Sequence, residues 1–456
     1  MKTDISTSSI REFAEELLNT ALKKGADEAE VYIKSSKGLS IEVKDQLIDT
    51  LETYLSFGYS LRVIKNGCLG FSYSTERDSE LVSGDSVVRN AVEAARWADS
   101  DKYLELPEIS GVGDVDIFDS KVDSIGEDNA IRKVLLLEES AYREDKRIKK
   151  IRKALGTFSR TDIAIMNSKG VDTQYSTTAC TAQIMAVAED EKDSQMGWDF
   201  AGSRFLREVS FEDVGRNAAR RALQLLGSRR MDAVRAHVIL DSAVASEFMG
   251  VFASSLSSES VQKGKSLLSG KIGKQVISPV INIIDNGLLS GKLGSRPVDD
   301  EGVLSREKAL IREGILRGYL YNTYTAKKEG VSSTGNAVRT GFSGLPSVGI
   351  SNLYLEANSK SNIMTLGQLF NAVDKVLYIT EAMGVHTANP ISGEFSVGVS
   401  GLWIEKGEIK FPVKEAIISG NILEFFGKIE AIGDDTRFYG NIGSPSLLIG
   451  ETDISA

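Results

Sequence analysis

Histidine and cysteine are nearly missing from this 456-residue sequence, which has two of each: His237, His386, Cys68 and Cys180. Zinc hydrolases take two or three imidazoles at short spacing, because neutral nitrogen donors leave the ion Lewis-acidic. Two widely separated histidines exclude that ligand set within a single copy. Ser-His-Asp and Cys-His chemistries each need one well-placed His, so they stay open only around these two residues. Two distant cysteines exclude a disulfide framework and a cysteine-based zinc site. No apolar run approaches the roughly 18–20 residues that span a bilayer. The opening MKTDISTSSIREFAEELL lacks an apolar stretch between a basic start and a small-residue cleavage site, so a signal peptide is not expected. Acidic residues outnumber basic ones, 64 to 54, for a net charge of −10, the wrong sign for a binder driven by phosphate neutralisation. Together these features point to a cytoplasmic protein without membrane or direct nucleic-acid contact.

What is present is the balance of a globular protein, 26% charged and 41% hydrophobic, in a chain too long for one ordinary core. Ile10, Phe13, Ala14, Leu17, Leu18, Ala21 and Leu22 share one helical face, and Gly25 fits the position just past its end. Strand-like segments follow: EAEVYIKS, LSIEVKD, DTLETYLS, then GYSLRVI and CLGFSY around the hairpin signal Asn66-Gly67. DSVVRNAVEAARWA reads as a second amphipathic helix. After an aperiodic stretch near 100–125 the layout recurs. A long charged helix runs from about Glu127 to Ala154, and strands DIAIMN and VDTQYSTTACTAQIMAVAE flank the turn Asn167–Gly170. Ser210 then caps the helix FEDVGRNAARRALQLL. From about 231 the chain becomes strand- and glycine-rich (HVILD, VINIID, VLYIT, FSVGVSGLWIE, LLIG), as a curved or barrel-like body requires. The expected fold is α+β. Two helix–sheet–helix units, over residues 1–110 and 111–230, precede a β-rich C-terminal domain over 231–456.

Three stretches concentrate polar chemistry. GSRPVDDEGV places Arg296, Asp299, Asp300 and Glu301 beside two glycines. Its consecutive carboxylates suit a hard cation, an ordered peptide or a solvated turn. KKEGVSSTGNAVRTG, which contains Asn336, has the composition of a backbone cradle for an anion or peptide, or of a loop over the barrel mouth. His386 and Asn389 lie in GVHTANPISGEF, where a lone histidine is either solvent-exposed or the centre of an independent Ser or Asp hydrolase.

PVDDEGV, GILRGYLYNTYTAKKEGVSSTGNAVR, NPISGEFSVGVSGLWIEKGEI and PVKEAIISGNILEFFGKIEAIGDD together resemble the PmbA/TldE branch of the TldD/PmbA family, long labelled modulators of DNA gyrase. The NSKGV turn and the first helix–sheet unit fit as well, so the likeness spans nearly the whole chain. The resemblance implies a heteromeric cytosolic metalloprotease that cleaves unfolded peptides. One subunit, of TldD type, binds zinc through HExxxH and a distant C-terminal Cys; the TldE-type subunit lacks that site and completes the cavity. Here the corresponding helix reads ASEFMGVFASSL, with Gly250 and Val251 opposite the His-Glu pair and Ser255 opposite the second His, and the closing DDTRFYGNIGSPSLLIG has no Cys. Glycine and valine offer no donor, and a serine hydroxyl is a poor zinc ligand. The implied role is a subunit with no cofactor of its own, paired with a zinc-bearing TldD-type partner or self-paired as a homodimer in its absence. Arg296, Asp299, Asp300, Asn336, His386 and Asn389 are expected near a channel for extended peptides. The alternative is a modulator of DNA gyrase acting by protein–protein contact.

Overall fold

In the computed structural model, which describes residues 7–75, 84–109 and 111–455, the alternating N-terminal segments merge into long strands. Helix α1 (Thr7–Lys23) leads into β1 (Glu28–Lys44), β2 (Leu47–Lys65), β3 (Cys68–Ser74) and helix α2 (Asp85–Trp97). EAEVYIKS and LSIEVKD thus lie in one strand, and DTLETYLS and GYSLRVI in the next. Asn66 and Gly67, at φ 51° and 74°, supply the left-handed pair that a tight two-residue turn needs. Asp45 and Gln46 do the same between β1 and β2 without a glycine. The second unit comprises α3 (Ser120–Asp123), α4 (Glu127–Glu144), β4 (Ile148–Asn167), β5 (Asp172–Glu189), β6 (Ser194–Ser203) and α5 (Phe211–Leu225).

One expectation is corrected here. The charged helix stops at Glu144 rather than Ala154, and Ile148–Ala154 begins β4. Register shifts at Ile148/Lys150 and Ile151/Lys153 insert extra residues into this strand. Ile148, Ile151 and Ala154 are therefore buried at every third position, a helical spacing produced by a bulged strand.

The six strands form one antiparallel sheet in the order β3-β2-β1-β4-β5-β6. β1 pairs with β4 from Glu30↔Asn167 to Val43↔Ala154, so the two helix–sheet–helix units are halves of a single sheet. Helices α1 and α2 cover Val31, Ile33, Leu61 and Val63; α4 and α5 cover Leu39, Ile41, Phe158 and Ile184. Each half carries a glycine on its third strand where its second helix crosses. A Cβ on Gly70 would lie 1.9 Å from the Ala91 carbonyl oxygen, and one on Gly197 would lie 2.4 Å from that of Ala218.

The C-terminal region opens with β7 (Val234–Leu240) and helix α6 (Ser242–Ala253), followed later by β8 (Ile281–Asn286). β7 runs parallel to Lys375–Met383 and antiparallel to Leu447–Ser455. With Glu394–Glu405 and Glu408–Asn421 these strands close a five-stranded barrel, which removes its open edges. A second sheet is built from β8 and strands Glu307–Arg312, Leu353–Ala357 and Ile442–Ser444. The barrel, this sheet and α6 share one core that includes Val238, Phe248, Ile283, Leu355 and Val399. Among the described residues no helix is long and apolar enough to cross a membrane.

The glycine contacts set a test. Gly197→Ala forces backbone against backbone and should cost about 1–3 kcal/mol, read as a lowered denaturant midpoint. Gly367→Ala, whose Cβ would meet nothing within 4 Å, should leave the midpoint nearly unchanged.

Candidate functional site

The PVDDEGV turn is neither solvated nor open. Asp299 folds the turn around its own carboxylate: Oδ1 accepts the Glu301 and Val303 N–H groups, both at 2.9 Å, and Oδ2 accepts that of Ala337 at 2.8 Å. Asp300 Oδ2 accepts the Arg339 N–H at 2.7 Å and lies 3.3 Å from Arg296 Nη1. The polar loop through Asn336 does provide an anion cradle from its backbone, and its occupants are the chain's own carboxylates. Glu301 receives Arg62 Nη1 at 2.8 Å and the Thr323 N–H at 2.9 Å, the latter at the start of helix Thr323–Glu329. Arg62 also donates to Glu30 at 2.6 Å. Glu30 pairs in turn with Arg339, whose guanidinium sits 4.8 Å over the Tyr32 ring.

Glu30 lies on β1 and Arg62 on β2, so this buried network ties the N-terminal sheet to the C-terminal domain. Burial, reinforced by the charge of Glu301, raises the Asp299 carboxyl above the ordinary range. Burial also acts to raise Glu301, but Arg62 and the Thr323 N–H outweigh it and hold that carboxyl low. Asn336 is fully buried with both donors and its acceptor used: Nδ2 reaches Asp285 at 3.0 Å and the Gly349 carbonyl at 2.9 Å, and Oδ1 accepts from Lys308 at 2.9 Å and Thr334 at 2.8 Å.

The residues expected along a peptide channel therefore fall in two places. Asp299, Asp300 and Asn336 spend their polar atoms inside the protein, in contrast to a channel wall. Arg296 is the member with spare capacity, since its Nε and Nη2 are buried without a hydrogen-bond partner. His386 and Asn389 lie apart, exposed on the loop between barrel strands Lys375–Met383 and Glu394–Glu405. Asn389 Oδ1 accepts the Ile391 and Ser392 N–H groups at 2.9 and 3.1 Å and so shapes that loop. Sequence reasoning missed Glu30, Arg62 and Arg339. The available signal was a charged residue at an inward position of an alternating strand, as Glu30 is two residues before buried Tyr32.

Helix α6 is fixed by Asp241, whose Oδ1 accepts the Ala243 N–H at 3.0 Å and pairs with Arg221 at 2.8 Å, while Tyr378 OH donates to Oδ2 at 2.9 Å. Its apolar face buries Val244, Ala245, Phe248, Met249 and Phe252. Gly250 lies on another face, beside strand Ile442–Ser444, where a Cβ would come 3.4 Å from Ile442 Cδ1. The helix and the cysteine-free closing segment thus meet, and apolar atoms occupy the meeting point. Val251 packs against the core. Ser255 falls past the helix end in a 3-10 turn (Ser254–Leu256), fully buried, its hydroxyl unpartnered. Among the described residues, no group of three or more His, Cys, Asp or Glu side chains is placed to hold a metal ion. Glu247, one turn before Gly250 in α6, is exposed, yet the surrounding protein partly desolvates its carboxyl and pushes it up to about 7.

This architecture is that of a metallopeptidase family. Residues 29–96, 120–226 and 233–456 match domain 1, the central domain and the C-terminal domain of the PmbA/TldA metallopeptidases. The chain belongs to the PmbA/TldD family. It is 30% identical to a metalloprotease PmbA homolog of Buchnera aphidicola (subsp. Acyrthosiphon pisum), over 93% of this chain and 92% of that protein. The crystal structure of a putative modulator of a DNA gyrase from Thermotoga maritima superimposes with a TM-score of 0.90 at 27% identity, covering 98% of this chain and all of that one. TldE from Thermococcus kodakarensis shares the fold, with a TM-score of 0.87 at 23% identity over 97% of this chain and 99% of that one.

Two outcomes follow from these sites. Arg62→Met leaves Glu30 and Glu301 buried without their shared cation and should cost about 3–5 kcal/mol, measured by denaturant unfolding. The raised Glu247 carboxyl means that the folded state holds its proton more tightly than the unfolded chain does. Its stabilising contribution is full below about 4.5 and lost as pH rises to about 7. Thermal melts of Glu247→Gln should therefore lose the part of the wild-type decline that falls in this window.

Proposed function

We propose that this chain is the non-catalytic, TldE-type subunit of a two-component zinc peptidase that acts on unfolded peptides in the cytoplasm. The observation that carries the reading is what stands where α6 meets the closing segment: Gly250, Val251 and Ser255 in place of the His-Glu pair and second His, with Ile442 rather than a sulfur donor alongside. Zinc chemistry on this reading belongs to a TldD-type partner, whose ion would supply Lewis acidity toward the scissile carbonyl and a bound water. This chain supplies the facing wall of the cavity. A peptide in extended form can be held there by main-chain hydrogen bonds, which give affinity with little dependence on sequence.

Peptide cleavage assays with the purified chain, a TldD-type subunit and their mixture test the assignment. The expected result is no zinc-dependent cleavage by this chain alone and cleavage in the mixture that a chelator abolishes. Zinc-dependent cleavage by this chain alone would overturn it.

A further inference from the structure

Buried cations along the domain boundary are met by carboxylates. Arg62 and Arg339 share Glu30 and Glu301, Lys308 lies 2.8 Å from Asp285, and Arg296 lies 3.3 Å from Asp300. Arg204, just past the end of β6, is different, because its donors are spent on carbonyl oxygens. Nε donates to Lys292 at 3.3 Å, Nη1 to Thr178 at 3.2 Å, and Nη2 to Leu293 and, at 3.3 Å, to Ser295. Tyr175 and Arg296 act electrostatically on this guanidinium, and among the described residues no carboxylate does. Burial, with Arg296 adding to it, pushes Arg204 down to about 10, so it still carries its charge at neutral pH.

We propose that Arg204, Arg296 and Tyr175 together bind one small monovalent anion, a halide or a compact carboxylate, where β5 and β6 meet the C-terminal domain. Arg296 reaches Asp300 through Nη1, while its Nε and Nη2 are buried with no acceptor in the protein. Those two N–H groups form the two-pronged edge with which a guanidinium grips a carboxylate. Leaving such donors unmet is costly. A neutral acceptor would satisfy the N–H groups and leave the Arg204 charge unanswered, whereas an anion answers both.

The layout brings these charges together. The Ser295 carbonyl that accepts from Arg204 belongs to the residue before Arg296, so two like charges are held close, an arrangement that an anion relieves. Tyr175 lies on β5 within electrostatic reach of both guanidiniums, and burial raises its hydroxyl, which therefore stays protonated as a donor. Enclosure sets the size. The Arg296 side chain is 13% exposed, and its unmet N–H groups do not reach solvent, so a compact ion suits the site and a peptide or nucleotide does not. The site does not depend on the role proposed for α6.

Melting of the full chain at constant ionic strength tests this, with sodium chloride or sodium formate replacing the sodium salt of a bulky sulfonate. At least one small anion should raise the melting temperature saturably, by about 2 °C or more; a response to formate alone marks a carboxylate site, and a response to both a general monoanion site. Arg296→Lys keeps a cation for Asp300 and loses the paired N–H edge, so the half-saturating concentration should rise roughly tenfold, with circular dichroism confirming the fold. Should that variant misfold, crystals of the unaltered chain soaked in sodium bromide or sodium formate decide the matter, since the ion should appear in contact with Arg204, Arg296 and Tyr175. A melting temperature indifferent to both anions, an unchanged response in Arg296→Lys, or crystals with water or a side chain of this chain at that point would overturn the proposal.

Discussion

A carboxylate taken out of water must be met by a cation and by hydrogen bonds, or its desolvation outweighs what folding returns. Glu30, Asp300 and Glu301 are all buried on the boundary between the N-terminal sheet and the C-terminal domain, and Arg62, Arg339 and Arg296 meet them there. No single segment can satisfy this set. Glu30 and Arg62 come from paired strands, Glu301 from a turn that Asp299 stabilises, and Arg339 from a loop whose backbone also binds Asp300. Each charge thus fixes the position of the others, and the domains are locked together by electrostatics as much as by the apolar contact of Tyr32, Ile163, Val171 and Val298. Turning PVDDEGV into the centre of this lock removes it from solvent, and a solvent-facing role passes to other parts of the chain.

Much of the fold was legible in local patterns. The amphipathic helices, the Asn66-Gly67 turn, the Ser210 cap and the strand-rich C-terminal body all appear as expected, since each depends on short-range periodicity or turn chemistry. What could not be read was long-range. The pairing of β1 with β4 that merges two units into one sheet leaves no local mark, and the bulges in β4 imitate a helix. The family likeness was accessible from residue identity alone. The ion network was not, because three adjacent acids look the same whether they face water or arginines contributed by residues hundreds of positions away.

The N-terminal sheet also shows how one layout can be used twice. Each half presents a helix, three strands and a second helix, and each admits its second helix closely through a glycine on the third strand. Close approach at Gly70 and Gly197 lets Ala91 and Ala218 bring helix backbone against strand backbone, which a side chain would prevent. The halves differ at their outer margins. β6 is followed by Arg204, which reaches the C-terminal-domain carbonyls of Lys292 and Ser295, and by a 3-10 turn at Leu206–Glu208, whereas on the opposite side β3 pairs with β2 over Tyr59–Lys65.

Barrel closure carries a temporal consequence. β7 ends at Leu240, yet its two neighbours are Lys375–Met383 and Leu447–Ser455. On the ribosome, its backbone donors and acceptors must wait for Lys375–Met383 to emerge before one flank is filled, and for Leu447–Ser455 before the other. Such distant pairings are reached slowly, so the nascent C-terminal half spends its synthesis with an apolar strand unshielded. It is the part of this molecule with most to gain from a chaperone.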